Sequence, residues 1–215
     1  MKVAVLFSGG KDSVFAAFVC QYMGWEVVLL TIEPEKHSTM FHHPNVKWCK
    51  RQAEEMNLKL VFAKAKGKTE KDELEAMKKA LAALKVEGVA SGAIESEYQK
   101  ERVDRIAYEL GIKSFAPLWR TGERLLSEQV KYLESYVVAV AAEGLDRGML
   151  TRKFDSDFVD YVRKLKIPVS ANLEGGEGET FVSNAPFFRK ALKIRKWKIA
   201  FDGTCGTADI VSLAR

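Results

Sequence analysis

Cysteine is scarce in this chain of 215 residues, and long apolar runs are absent. The only cysteines are Cys20, Cys49 and Cys205, an odd number with no CxxC pair, which argues against a disulfide framework or a cysteine-based zinc site. No apolar run approaches the roughly 20 residues that span a membrane. The chain begins directly with a strand-like segment, so we expect no signal peptide, no membrane partner and a cytoplasmic location.

Side-chain amides are also few. Four Asn and four Gln stand beside 34 Lys and Arg and 29 Asp and Glu, a balance that suggests an archaeal or thermophilic source. The net charge of +5 suits a protein that handles phosphates or meets an acidic partner. Basic residues are mixed with acidic ones and no RNA- or DNA-binding module is recognisable, so no direct contact with nucleic acid is expected.

The segment SGGKDS at residues 8–13 carries the most specific chemistry. An apolar run precedes it and a helical pattern follows, so its glycines and the helix N-terminus can direct N–H groups at phosphate oxygens. The lysine placement excludes a Walker A loop, which needs G-x-x-x-x-G-K-[ST]. The alternative is a serine-capped strand–helix turn, and the full pattern favours phosphate binding. The predicted phosphate-binding residues are Ser8, Gly9, Gly10, Lys11, Asp12 and Ser13.

The first half of the chain alternates apolar runs with helical periodicity, which predicts a parallel sheet flanked by helices. Expected helices include 44–56, a helix to residue 84 with a capping box of Thr69 and Asp72, and one that ends at Gly111. Beyond Trp119 the pattern changes and closes in a hairpin around 202–203. We therefore predict a Rossmann-like α/β domain over 1–118 and a smaller α/β lobe over 119–215.

Ligands of open parallel sheets bind at the carboxyl ends of the strands. This rule places the phosphate loop, the turn after the second strand and the turn that contains Gly92 at one edge. We expect Thr31 and Ile32 to lie beside adenine there. The alternative, that these two are plain strand-end residues, stays open.

Four further segments stand out beside SGGKDS. They read HSTMFHHPN at 37–45, GAIESEYQKER at 92–102, APLW at 116–119 and EGGEGETFV at 174–182. Together with SGGKDS, they resemble the diphthine–ammonia ligase family. The family consists of N-type ATP pyrophosphatases, and the likeness runs from Val3 to about Phe188. It implies the adenine nucleotide alpha-hydrolase-like fold, with ATP bound by the first domain and the substrate by the C-terminal lobe.

The resemblance implies amidation of diphthine on translation elongation factor two. ATP would activate the carboxylate as an acyl-adenylate, free ammonia would displace AMP, and pyrophosphate would be released. ATP and Mg²⁺ are the implied cofactors, and the modified factor and ammonia are the implied partners, with a monomer or a homodimer both open. The alternatives are another pyrophosphate-loop enzyme, such as a tRNA-modifying ligase, and an ATP-binding sensor without turnover.

The resemblance also implies roles for particular residues. The implied catalytic residues are Lys11, Asp12, Arg102 and Glu177. Asp12 is expected either to bind Mg²⁺ or to fix the loop. Arg102 is expected to hold a carboxylate or phosphate, unless it forms an ion pair along its own helix. The implied substrate-binding residues are Ser96, Tyr98, Gln99, Arg102, Trp119, Glu174, Glu177, Glu179 and Thr180.

Two further hypotheses concern the acceptor side and the nucleotide cleft. Tyr98, Trp119 or Phe181 could join the glutamates in a cation–π pocket for the trimethylammonium group of diphthine. The histidines His37, His42 and His43 are expected to line the nucleotide cleft rather than a zinc site. The chain departs from the usual family pattern at Leu173, where glycine is common, at Gly178, where an aromatic is common, and at Thr39.

Overall fold

The computed structural model describes residues 1–33, 44–67, 69–167 and 169–214. The predicted cleft histidines His37, His42 and His43, together with Thr39, lie outside the described residues. Among the helices in the described ranges, none is both long and apolar enough to cross a membrane.

The first half forms a parallel sheet with helices packed against it. Its strands are β1 (Lys2–Leu6), β2 (Glu26–Glu33), β3 (Lys59–Lys64), β4 (Gly88–Ala90) and β5 (Lys113–Phe115). The helices between them are α1 (Lys11–Tyr22), α2 (Cys49–Met56), α3 (Glu70–Leu84) and α4 (Glu97–Leu110). The strand order is β3-β2-β1-β4-β5 and every pairing is parallel, which confirms the predicted fold class. The central strands are continuous apolar runs because both faces of the sheet are covered.

Two predicted helix ends are confirmed. Thr69 and Asp72 form a reciprocal capping box at the start of α3, with each side chain bonded to the backbone N–H of the other residue. Gly111 ends α4 in the left-handed region at φ 66°, where a glycine avoids the Cβ penalty.

The helix predicted over 44–56 begins later. Asn45 has a left-handed backbone at φ 72°, a short 3₁₀ turn follows, and α2 starts at Cys49. Asn45 is buried, and its side chain donates to the carbonyl of Ala208 and accepts from the N–H of Ile210. These hydrogen bonds to a distant strand outweigh local helix propensity and hold Asn45 out of the helix.

The second half forms an antiparallel sheet. Its strands are β6 (Glu134–Val140), β7 (Gly178–Asn184), β8 (Ile194–Phe201) and β9 (Gly206–Leu213), and its helices are α5 (Gly122–Tyr132) and α6 (Ser156–Arg163). The order is β7-β6-β9-β8. Strands β8 and β9 form the predicted hairpin, and Asp202 Oδ1 closes its turn by accepting from the N–H groups of Thr204 and Cys205.

The two sheets share one apolar core. Buried residues of β1 and α1 belong to the same cluster as Val138 of β6, Phe181 and Val182 of β7, and Ile210 of β9. The backbone joins the halves as well, because Val182 N–H donates to the carbonyl of Gly9 at 3.0 Å. Strand β7 is therefore held directly against the loop between β1 and α1.

Candidate functional site

A cavity of about 650 Å³ lies at the carboxyl ends of β1, β2 and β4. The glycine- and glutamate-rich loop that leads into β7 forms its opposite wall. Most of the predicted site residues line this cavity: Ser8, Gly10, Lys11, Asp12, Ser13, Thr31, Ile32, Gly92, Ser96, Tyr98, Gln99, Arg102, Glu174, Glu179 and Thr180. Three of them do not, namely Gly9, Trp119 and Glu177.

The phosphate loop at 8–13 is closed by one hydroxyl. Ser13 Oγ accepts from the N–H groups of Ser8 and Gly9, at 3.2 and 3.1 Å, and donates to the carbonyl of Gly10 at 3.0 Å. Helix α1 begins immediately after Gly10, so the positive end of its dipole lies at the cavity wall. The loop has the local structure of an anion site, and Ser13 holds its shape.

Lys11 and Asp12 form a mostly buried ion pair. Lys11 is 2% exposed, and its Nζ lies 2.8 Å from both carboxylate oxygens of Asp12 and 5.4 Å from the ring centroid of Phe154. Asp12 Oδ1 also accepts from Nε2 of Gln129, which is buried on α5, at 2.8 Å. Asp12 thus ties the first turn of α1 to the C-terminal half of the chain.

A buried glutamine holds the backbone of Gly9 in place. Gln52 Nε2 donates to the carbonyls of Gly9 and Val182, each at 2.8 Å. Gly9 has φ 81°, and a Cβ there would lie 2.3 Å from Gln52 Oε1, so both the conformation and the space require glycine. Gly9 therefore shapes the loop from outside the cavity.

The two residues predicted beside adenine lie at the end of β2. Thr31 and Ile32 are both buried and line the cavity, and the Thr31 hydroxyl donates to the carbonyl of Phe7 at 2.6 Å. Gly92 packs on the first turn of α1, where a Cβ would come within 2.8 Å of the Asp12 carbonyl carbon and 2.9 Å of the Ser13 nitrogen. Glycine at 92 is what lets this turn approach the phosphate loop.

Arg102 forms a cluster with residues of two helices. Its guanidinium stacks on the ring of Tyr98 at 3.1 Å and donates to Glu70 of α3, while Tyr98 Oη donates to Glu70 Oε2 at 2.7 Å. The hydrogen bonds from Arg102 and Tyr98 hold the pKa of Glu70 below its ordinary value. The alternative of an ion pair along its own helix is wrong, because the acidic partner of Arg102 belongs to α3. Ser96 caps α4 by accepting from the N–H of Gln99.

Glu174 has an unusual electrostatic environment. Burial, followed by the negative charges of Asp12, Glu95 and Glu179, raises its pKa to about 7, and the nearby charge of Lys11 opposes the shift. On the next strand residue after Glu179, Thr180 Oγ1 accepts from the N–H of Lys11 at 3.0 Å. The acidic loop therefore lies directly against the start of α1.

The remaining acceptor-side residues lie elsewhere. Glu177 accepts from the N–H of Ser170 at 2.8 Å, which braces the loop. Trp119 has Lys100 and Arg120 each 5.7 Å from its ring, and Phe181 is buried in the shared core. Of the three rings in the cation–π hypothesis, only Tyr98 lines the cavity, and Arg102 covers one face of that ring.

Two of the three departures from the family pattern, Leu173 and Gly178, contact each other. Leu173 is buried with φ 57°, a conformation that favours glycine. A Cβ on Gly178 would lie 2.9 Å from the Ala139 carbonyl oxygen and 3.2 Å from Leu173 Cδ1. The leucine side chain thus occupies space beside Gly178, so the two substitutions form one packing arrangement.

The cysteines have no catalytic environment. Burial raises the pKa of Cys49 to about 12 and that of Cys20 to about 11, while Cys205 is exposed. A buried thiol with a raised pKa is a poor nucleophile. Burial therefore makes Cys20 and Cys49 unsuited to nucleophilic chemistry.

The described residues do not form a metal cage. They contain no group of three or more His, Cys, Asp or Glu side chains that could hold a metal ion. The carboxylate of Asp12, the expected Mg²⁺ ligand, is engaged by Lys11 and Gln129. Of its two proposed roles, the contacts match the one that fixes the loop.

Two functional residues escaped sequence reasoning. Gln52 and Gln129 are 0% and 1% exposed and both contact the phosphate-loop region. The sequence did contain a signal, because each glutamine lies on the apolar stripe of its helix. Gln52 lies between Cys49 and Met56 on α2, and Gln129 follows Leu125 and Leu126 on α5. A polar residue on such a stripe needs a buried partner, and that partner is not readable from sequence.

Comparison with known proteins matches both halves of the chain. The family model for the diphthamide synthase N-terminal domain covers residues 1–114, and that for the C-terminal domain covers 121–214. A human diphthine–ammonia ligase is 28% identical over 240 residues, covering 99% of this chain and 90% of its own. A rat diphthine–ammonia ligase is 32% identical, covering 90% of this chain and 83% of its own.

One solved structure supports the fold alone. It is described as a predicted subunit of tRNA methyltransferase from Methanocaldococcus jannaschii, and it aligns with 86% of this chain and 98% of its own at a TM-score of 0.51. At 18% identity this likeness carries no argument about activity.

Proposed function

Because the chain belongs to the diphthamide synthase family, whose curated relatives are diphthine–ammonia ligases, we propose that it is an ATP-dependent ligase that amidates diphthine to diphthamide. The protein substrate is translation elongation factor two, the amine donor is free ammonia, and AMP and pyrophosphate are released. The substrate belongs to the translation machinery, so the proposed place of action is the cytoplasm.

The chemistry requires activation of a carboxylate. An anionic carboxylate does not react with ammonia at neutral pH, because its oxygen is a poor leaving group. Attack of the diphthine carboxylate on the α-phosphate of ATP forms an acyl-adenylate and expels pyrophosphate. Ammonia then attacks the acyl carbon and displaces AMP. The protein contributes positioning and stabilisation of charge on the phosphates.

The observation that carries the proposal is the joining of two motifs across one cavity. The SGGKDS loop is bonded to the strand of the EGGEGETFV segment through Lys11 N–H to Thr180 Oγ1 and Val182 N–H to the Gly9 carbonyl. Both segments line the same 650 Å³ space, which is in the range of ligand pockets. An activating nucleotide and an acceptor carboxylate can therefore be held side by side.

We assign roles on the ATP side as follows. The first-turn amides of α1 and its dipole bind phosphate oxygens, and Ser8 and Ser13 keep the loop in shape. Lys11 exchanges its bond to Asp12 for a phosphate oxygen, while Asp12 keeps its bond to Gln129. Thr31, Ile32 and Gly92 form the nucleoside side of the cavity.

On the acceptor side, Arg102 binds the substrate carboxylate. Glu70 and Tyr98 orient its guanidinium, which leaves further N–H donors for a bidentate contact. Ser96 and Gln99 form the adjacent wall, with Glu174, Glu179 and Thr180 opposite. Glu177 is assigned to bracing the loop through Ser170, and Trp119 to the surface outside the cavity. Residues 1–118 thus handle ATP and contribute one wall of the acceptor side, and 119–215 contribute the opposite wall.

Mg²⁺ is proposed to arrive with ATP. Mg²⁺ commonly keeps several waters and binds through substrate phosphates, and the described residues offer it no cage of their own. Bound in this way, it would neutralise part of the phosphate charge, and no protein side chain needs to be its dedicated ligand.

The test is a reconstituted reaction. The protein is incubated with ATP, ¹⁵N-ammonium and elongation factor two that carries diphthine, and AMP, pyrophosphate and label in the factor are followed. We expect equal amounts of AMP and labelled factor. ADP as the product would contradict attack at the α-phosphate, and ATP binding without turnover would indicate a sensor. A factor that lacks diphthine is the control and should remain unlabelled.

A further inference from the structure

Several carboxylates lie close together on the wall of the cavity beside Lys11. Burial, followed by the negative charges of Asp12, Glu95 and Glu179, raises the pKa of Glu174, and the positive charge of Lys11 lowers it. These groups come from α1, from the segment before α4, and from β7 and the loop that precedes it. Carboxylates from three parts of the chain thus meet near the ammonium group of Lys11.

A buried acceptor with no partner among the described residues is attached to one of these carboxylates. Gln129 is 1% exposed, and because a carboxylate can only accept hydrogen bonds, its Nε2 must face Asp12. Its Oε1 then has no hydrogen-bond partner in the described part of the chain. Asn172, which lines the cavity two residues before Glu174, has a buried Oδ1 in the same condition. Leaving such oxygens unpaired is costly, so both oxygens are suited to accept from a bound donor.

We propose that Glu174, Asp12 and Gln129 form a binding site for the ammonium ion, with Asn172 Oδ1 as a further acceptor. The inference rests on the proposed function and identifies how its amine donor is held. Ammonium is the main form of ammonia at neutral pH, carries one positive charge and has N–H donors for several oxygens. Lys11 provides an internal example, since its own alkylammonium group is bound by both oxygens of Asp12 near the ring of Phe154.

The site also provides an acceptor for the proton that ammonium must lose before it reacts. Ammonium has no lone pair, so one N–H proton must leave before the nitrogen can attack. Glu174 accepts that proton and becomes a neutral carboxyl, which its raised pKa of about 7 supports. The ammonia lone pair forms the C–N bond, and the C–O bond to AMP breaks. A second N–H proton leaves the nitrogen with the departing phosphate, which gives the amide and AMP.

The decisive experiment compares two nitrogen nucleophiles. Hydroxylamine is uncharged at neutral pH and traps acyl-adenylates as hydroxamates without a binding site for a cation. Glu174→Gln is expected to lower kcat/KM for ammonium at least tenfold more than it lowers kcat/KM for hydroxylamine. Gln129→Met keeps the side-chain volume and is expected to raise the KM for ammonium by a larger factor than the KM for hydroxylamine.

Controls separate this site from the proposed function and from other cations. Glu143→Gln removes an exposed carboxylate and should change neither reaction. A parallel loss of amide and hydroxamate in both variants, or no loss of either, would overturn the ammonium site. If the unsubstituted protein forms neither product, the proposed function itself fails.

Direct binding provides a second readout. The midpoint of thermal unfolding is measured in NH₄Cl, KCl and MgCl₂ at equal ionic strength. Stabilisation by NH₄Cl beyond KCl that disappears in Glu174→Gln supports the site. Equal stabilisation by KCl, or stabilisation by MgCl₂ alone, would assign these oxygens to another cation.

Discussion

The phosphate loop at 8–13 and the acidic loop at 172–179 form facing walls of one cavity. The two walls differ in whether their polar groups already have hydrogen-bond and charge partners. In the phosphate loop, Ser13 satisfies two backbone N–H groups, and Lys11 is paired with Asp12. In the acidic loop, Asn172 Oδ1 lacks a partner among the described residues, and Glu174 is held with a raised pKa. The first wall is complete before a ligand arrives, whereas the second is completed by one. A loop whose donors are already in position suits the binding of phosphates. A wall whose oxygens still need donors suits a substrate that brings positive charge and N–H groups.

The largest effect is expected from a substitution in the phosphate loop. Lys11→Met keeps most of the buried volume and removes the charge, so AMP formation should fall by about 100-fold or more. Circular dichroism and unfolding in urea should show that the fold survives. Lys11→Ala is a poorer variant, because Lys11 is 2% exposed and its truncation would leave a cavity. A loss of less than tenfold in Lys11→Met would mean that the loop amides alone handle the phosphates.

The acidic loop should make the stability of the protein depend on pH through Glu174. The folded pKa of Glu174, about 7, lies above its ordinary value of 4.5, so the folded state holds the proton more tightly than the unfolded state. Its ionisation therefore costs stability, by an amount that grows from about pH 4.5 to pH 7 and is on the order of 2–3 kcal/mol above that range.

Glu174→Gln cannot ionise and should lose this pH-dependent cost. Unfolding in urea at pH 5 and pH 8 measures it, and the variant should gain more stability over the unsubstituted protein at pH 8 than at pH 5. An unchanged difference between the two pH values would show that the acidic wall is not under electrostatic strain. Glu143→Gln is again the control.

A smaller effect is expected from the packing that shapes the acidic wall. Gly178→Ala should destabilise by about 1–3 kcal/mol, because its Cβ would meet the Ala139 carbonyl and Leu173. In a Leu173→Gly background that cost should shrink by about 1 kcal/mol, since one of the two obstacles is gone. Urea midpoints of the two single variants and the double variant give the coupling. Strict additivity would show that the two positions are independent.

The smallest effect is expected outside both walls. Trp119→Ala and Glu177→Gln should change the apparent affinity for the modified elongation factor by less than about threefold, because neither residue lines the cavity. Competition binding with the diphthine-bearing factor measures this. A tenfold loss in Trp119→Ala would place that ring in the acceptor site and revive the cation–π hypothesis.

A feature could be predicted from the sequence where local residues determine it, and could not where contacts distant in the chain do. The parallel sheet, the capping box at Thr69 and the edge where the site lies follow from local periodicity and from a general rule about parallel sheets. The late start of α2 did not follow, because it depends on Asn45 bonding to a strand more than 160 residues away. Asp12 was left with two roles because its partner Gln129 lies on a distant helix. Motifs predict which residues gather, and tertiary hydrogen bonds decide what each one does.

The bond from Lys11 N–H to Thr180 Oγ1 joins residues 169 positions apart in the chain. During synthesis the SGGKDS loop emerges early, but its supporting strand emerges only when most of the chain has been made. A nascent chain that stops before residue 180 contains every strand of the parallel sheet and still lacks one wall of the cavity. The order of translation therefore leaves the cavity incomplete until β7 has been made.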